Sequence, residues 1–140
     1  MKVELDVTEV DDNLTKLLRR LPEATIQAMT KATLLVEGEA KDNCPVDTGI
    51  LRASINSEVV REGEDIAGYV YTNEEYAVHV HFGTGIYSQG SGRGKAWKFK
   101  DRKGVWHSTV GQEAKPFLQD AINSKQSEIK EELKKVLDYV

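Results

Sequence analysis

The sequence predicts an α+β fold: one domain with an antiparallel sheet packed by a long central helix and a C-terminal helix, plus a protruding β-ribbon. Three observations carry this reading. Apolar residues recur at helical spacing from Val10 to Ala40 and again after Pro116. Between Glu58 and Tyr71 the pattern is strand, acidic turn, strand. A further strand–turn–strand pattern, 96–109, follows a glycine- and serine-rich loop.

At the N-terminus, Val3, Leu5 and Val7 alternate with Lys2, Glu4 and Asp6, which puts the apolar residues on one face of a short strand. Val10, Leu14, Leu17, Leu18 and Leu21 then form a helical stripe, with Asp11 and Asp12 where a helix N-terminus favours negative charge. Pro22 is tolerated at a first helical position, so a second helix starts there and runs to about Asn43. Its buried stripe is expected to be Ala28, Met29, Ala32, Leu35, Val36 and Ala40, rich in alanine and open to close packing.

Pro45 disfavours helical geometry at Cys44, and Asp47 or Thr48 can bond nearby backbone amides, so a specified turn follows. Residues 51–55 fit either a strand through Leu51, Ala53 and Ile55 or a helical turn through Leu51 and Ile55. Strands at Glu58–Arg61 and Ile66–Tyr71 flank an acidic turn, Glu62–Asp65. Tyr76, Val78, Val80 and Phe82 alternate with Ala77, His79 and His81, which reads as a strand ended by Gly83-Thr84-Gly85.

Residues 88–94 offer little apolar surface and read as a mobile loop. Ala96–Lys100 and Val105–Thr109 form a hairpin around Asp101–Gly104. From Pro116 one helix reaches the chain end, burying Phe117, Leu118, Ala121, Ile122, Ile129, Leu133, Val136 and Leu137, with Glu131 placed to pair with Lys135. The 140 residues suit a single domain, 1–140, in which 88–108 is a loop-and-hairpin insertion. No period repeats, which excludes solenoids and propellers.

Composition narrows the function. With 19 basic and 23 acidic residues the net charge is −4, so nothing global calls for a polyanionic partner. No apolar run approaches the roughly 20 residues of a spanning helix, and the N-terminus lacks a secretory core, so a cytoplasmic, membrane-free protein is expected. The single cysteine, Cys44, excludes an intrachain disulfide and multi-thiolate zinc sites. At a helix C-terminus it faces the negative end of the dipole, which disfavours a thiolate nucleophile.

On a strand, His79 and His81 share a face where two imidazoles can converge on a metal or phosphate, with His107 as a third nitrogen. No carboxylate or cysteine adds metal-ligand spacing, so strand alternation with solvent-facing histidines is the preferred reading and no metal is assigned. The glycines around Gly94-Lys95 lack the spacing and following hydroxyl of a phosphate loop. No catalytic signature and no cofactor site emerges.

The basic segment is more informative. Arg93, Lys95, Lys98, Lys100, Arg102 and Lys103, offset by Asp101 alone, give +5 against −9 in the rest of the chain. Trp97, Phe99 and Trp106 are interleaved with them, a pattern that suits stacking on single-stranded nucleic acid or anchoring on an acidic protein surface. The acidic remainder favours protein contact. The alternative is a nucleic-acid-binding or nuclease module that uses this ribbon with His79, His81 and His107.

Three stretches together resemble one family: Cys-Pro-Val-Asp-Thr-Gly-Ile-Leu-Arg-Ala-Ser-Ile at 44–55, Tyr-Ala-Val-His-Val-His-Phe-Gly-Thr-Gly at 76–85, and Ala-Lys-Pro-Phe-Leu-Gln-Asp-Ala at 114–121. In this order they are similar to tail-component proteins of long-tailed bacteriophages and prophages, also described as tail-completion or head–tail joining proteins. The family pattern falls on Pro45, Asp47, Thr48, Gly49, Leu51 and Arg52, on Tyr76, Ala77, Phe82, Gly83 and Thr84, and on Pro116 and Phe117. His81 stands where many members carry an acidic residue. The resemblance implies a small α+β virion subunit without enzymatic activity or cofactor, which waits in the host cytoplasm before assembly. It would form a ring at the neck or upper tail and dock on itself and on other phage neck and tail proteins.

Overall fold

The structure, a computed structural model, describes residues 1–5, 12–45, 49–83, 97–100, 103–109, 111 and 113–139. In chain order it runs β1 (Lys2–Leu5), α1 (Asp12–Arg20), α2 (Pro22–Asn43), α3 (Ile50–Ser54), β2 (Asn56–Glu62), β3 (Asp65–Tyr71), α4 (Ala77–Phe82), β4 (Trp97–Lys100), β5 (Trp106–Thr109), α5 (Phe117–Ser124) and α6 (Gln126–Lys134), and closes in a 3₁₀ turn, Lys135–Tyr139. The fold class is α+β, as the sequence predicts. Two compact units are present: Met1–Asn73 with Phe117–Val140, and Glu74–Pro116.

In the larger unit the sheet order is β1-β3-β2, antiparallel throughout. Register fixes its faces, because directly paired residues share a side. Val3, Leu5, Ile66, Gly68, Val70, Ser57 and Val59 lie on one side, and Leu5 and Val70 are buried there. This side packs on α2, which also contacts α5, α6, α1 and the closing 3₁₀ turn, so α2 is the central layer. Pro22 does occupy the helix start, and Cys44 caps its end with an amide donating to Ala40 O.

The buried stripe of α2 differs from the expected one at Leu35, which is 37% exposed, while Thr25 and Thr33 are buried. Threonine is tolerated there because each hydroxyl donates to a carbonyl one turn back, Leu21 O and Met29 O. Thr25 also donates to Leu18 O of α1, which ties the two helices at their corner.

The strands continue into the expected acidic turn, since Glu62 pairs with Asp65 and only Gly63 and Glu64 remain as the loop. Gly63, at φ 64, supplies the left-handed first position such a short connection favours. Residues 50–54 take the helical alternative, with Leu51 and Ile55 buried.

The single helix expected after Pro116 is instead broken at Lys125. Ser124 Oγ donates to Ala121 O, a local bond that competes with helix continuation. The final 3₁₀ turn rotates Leu137 outward, so it is exposed, whereas Phe117, Leu118, Ala121, Ile122, Ile129, Leu133 and Val136 are buried as expected. Lys135 pairs with Glu132 at 2.8 Å rather than with Glu131.

In the smaller unit the stretch read as a strand is the helix α4. Its buried residues, Ala77, Val80 and His81, follow i, i+3, i+4 spacing, while Tyr76, Val78 and Phe82 are exposed. The hairpin is present, with Trp97 paired to Thr109 and Lys100 to Trp106. The loop at 88–94 lies outside the described residues.

Candidate interaction surface

The turn after α2 is held from both sides. Gly49 takes φ 80 at the start of α3, and Arg52 Nη2 donates to Cys44 O at 3.4 Å, linking the two helix ends. Cys44 is buried, and burial raises its thiol pKa while Arg52 opposes the rise. A thiol kept protonated in this way is a packing residue. Leu51 anchors α3 in the core, and Pro45 is half-buried. Asp47 and Thr48 lie outside the described residues, as does Thr84. Ala77 and Gly83 are buried in the second motif, and Gly83 ends α4 at φ 81. Val80 O accepts the Lys115 amide at 2.9 Å, one residue before Pro116, while Phe117 is buried at the start of α5.

The histidine convergence is not formed. On a helix, residues two apart point to opposite sides. His79 is accordingly exposed and His81 is 8% exposed, its ring edge-on to Phe82 at 4.6 Å. His107 lies on β5, exposed. Among the described residues no three metal-ligating side chains cluster, and no helix is long and apolar enough to cross a membrane.

The hairpin does gather part of the basic–aromatic set. Alternation along β4 and the pairing of Lys100 with Trp106 put Lys98, Lys100 and Trp106 on one face. Both lysines are exposed, and Trp106 is 65% exposed. Lys103 is exposed at the hairpin end. Arg93, Lys95 and Arg102, and the side chains of Trp97 and Phe99, lie outside the described part.

A second surface escaped the sequence reading. On the side of the sheet away from α2, Glu4, Tyr69 and Glu58 form one row across the three strands, and Glu62 and Asp65 form another. Tyr69 is only 8% exposed. Its hydroxyl donates to Glu62 at 2.7 Å, and Lys2 Nζ stands 4.4 Å from its ring centre. That hydrogen bond, then burial and the nearby Glu4, Glu62 and Glu58 charges, push the phenol up to about 12. Asp65 is engaged by Arg19 of α1 at 2.9 Å. The tyrosine and carboxylate spacing is visible in the sequence, but their convergence depends on strand register.

A concavity of about 450 Å³ lies at the α1–α2 corner against Arg20, Leu21, Pro22, Glu23, Ala24 and Gln27. It is open and lined by side chains of ordinary surface chemistry.

The described chain is thus an α+β fold with an exposed hairpin that carries lysines and a tryptophan, and with the ends of α2 and α3 linked by Arg52 and Cys44. Residues 8–83 match the family model HK97-gp10-like, described as "Bacteriophage HK97-gp10, putative tail-component". The match spans more than half of the chain, and the chain belongs to this family of phage tail components. It covers the motifs at 44–55 and 76–83 and stops short of the hairpin and of Pro116-Phe117. Comparison with curated proteins and with solved structures gave no significant match.

Proposed function

We propose that this tail component acts at the neck or upper tail, in head–tail joining or tail completion, by associating with copies of itself into a ring and docking on other neck and tail proteins. The observation that carries this reading is the hairpin face of Lys98, Lys100 and Trp106. An exposed tryptophan beside two cations, directly across from Lys100 and diagonal to Lys98, is an anchor in search of an acidic, partly apolar surface. The acidic balance of the rest of the chain supplies such surfaces on every copy. Contacts between two different patches of identical subunits are head-to-tail and close into a ring when the rotation allows. In this reading the chain needs no catalysis, metal or cofactor, and it stays in the host cytoplasm until assembly.

Deleting residues 88–108, which removes most of the hairpin, tests the connector role. Light scattering and electron microscopy are expected to show rings for the parent at high concentration and a folded, unassembled deletion variant. Rings of unchanged size from the variant would remove the hairpin from the mechanism. The same basic–aromatic face also suits single-stranded nucleic acid. Binding that tolerates any sequence and collapses with salt would favour that function instead.

A further inference from the structure

The sheet face away from α2 offers what the hairpin lacks. Its floor is Ala67 and Tyr69, both buried, with Val60 and Tyr71 half-buried beside them. Its rim is carboxylate: Glu4, Glu58 and Glu62 are exposed on this side, with Lys2 the one lysine among the described residues of these strands there. The fourth carboxylate, Asp65, is occupied by Arg19. An apolar floor edged by acids is the complement of an indole with two lysines on the strand beside it.

The dimensions agree as well. Lys98 and Lys100, two residues apart on one strand, are separated by about 7 Å. Glu4 and Glu58, on the outer strands of the sheet, flank β3 at about 10 Å. Side chains as long as lysine and glutamate close that difference readily, and the indole, one strand over from the lysines, then lies over the floor beside them.

We infer that the outward face of the β1-β3-β2 sheet, around Glu4, Tyr69 and Glu58, is the receiving surface for the Lys98, Lys100 and Trp106 face of a second copy's hairpin. The inference rests on the self-association reading above and adds the acceptor half of that contact. The donor and acceptor are different patches, so every subunit both gives a hairpin and receives one, as a head-to-tail ring requires. Glu62 positions Tyr69 by accepting from its hydroxyl, and Lys2 stands over the ring. An incoming indole therefore displaces Lys2 from the tyrosine and takes its place on an already positioned aromatic surface.

Charge reversal in the full-length chain tests both halves. Variant one carries Glu4→Lys and Glu58→Lys, variant two Lys98→Glu and Lys100→Glu. All four side chains are exposed, and thermal melts confirm that each variant is folded. Sedimentation velocity is expected to show self-association weakened at least about tenfold in each variant alone, since like charges then meet across the contact. An equimolar mixture of the two is expected to regain assembly, because each hairpin then finds a face of opposite charge. A parent that stays monomeric at every concentration overturns the self-association reading itself. A parent that assembles, with variant two impaired and variant one unaffected, leaves the hairpin as connector and overturns this acceptor face. Carbodiimide crosslinks between lysine and glutamate, traced by mass spectrometry in a mixture of isotope-labelled and unlabelled chains, are expected between chains. Crosslinks of this pair confined to one chain would mean the hairpin folds back on its own sheet, and would overturn the inference.

Discussion

Gly68 in β3 lies so close to Thr33 in α2 that a Cβ on the glycine would stand 2.5 Å from the threonine Oγ1 and 3.0 Å from Met29 Cε. The sheet and the central helix are in contact there through backbone and a short hydroxyl side chain, and the absence of a methyl sets their separation. Gly68→Ala is therefore expected to destabilise the fold by about 1–3 kcal/mol, the range for overfilling a packed core. In a Thr33→Ala background the nearest remaining threonine atom is the Cβ at 3.7 Å, an ordinary contact. The double variant should lose less than the sum of the two single losses. Denaturant midpoints for the four proteins measure this, and strict additivity would mean that the two residues do not meet.

Gly49 raises a different question, because a Cβ there would meet nothing within 4 Å while φ is 80. The cost of a side chain is thus one of backbone conformation alone. Gly49→Val is expected to lose about 1–2 kcal/mol, and Gly49→Asn, whose side chain tolerates the left-handed region, clearly less. Equal midpoints for the valine variant and the parent would place the turn in another conformation.

Much of this was legible before any coordinates. The span of α2 follows from Pro22 at its first position and Pro45 just past its end, and the β2–β3 and β4–β5 hairpins follow from alternation around glycine-bearing turns. The stretch 76–82 was misread because its large apolar residues, Tyr76, Val78, Val80 and Phe82, alternate. The residues that α4 buries include the small Ala77 and the polar His81, so the helical period is carried by side chains that hydropathy underweights. The acidic face was not legible for another reason. Glu4, Glu58 and Tyr69 are far apart in sequence, and only register brings them into one row.

The geometry of α4 has its own consequence for metals. With His79 outside and His81 inside, these imidazoles cannot jointly ligate an ion. Melting curves with and without a chelator are expected to coincide, because a structural metal contributes directly to folding free energy. A stoichiometric zinc content, or a chelator-induced drop of several degrees, would contradict this arrangement.

Tyr69 gives the fold a pH signature. Its phenol, held by the Glu62 carboxylate, partly buried and ringed by Glu4, Glu62 and Glu58, is pushed up to about 12 from an ordinary value near 10. The folded state therefore keeps this proton more tightly than the unfolded chain does. The stability it contributes is fully present below about pH 10 and is lost as pH rises through the folded value of about 12. Tyr69 is expected to ionise well above the ordinary value for a tyrosine when its ring resonances are followed by NMR across the alkaline range. Glu62→Ala removes both the hydrogen bond and one of the charges, and should bring the Tyr69 midpoint back toward that of an exposed phenol. The neighbouring Glu4→Gln, which makes no hydrogen bond to the ring hydroxyl, should shift it less. If Tyr69 titrates near 10 in the parent, or if Glu62→Ala leaves its midpoint where it was, the 2.7 Å bond is not what holds the ring.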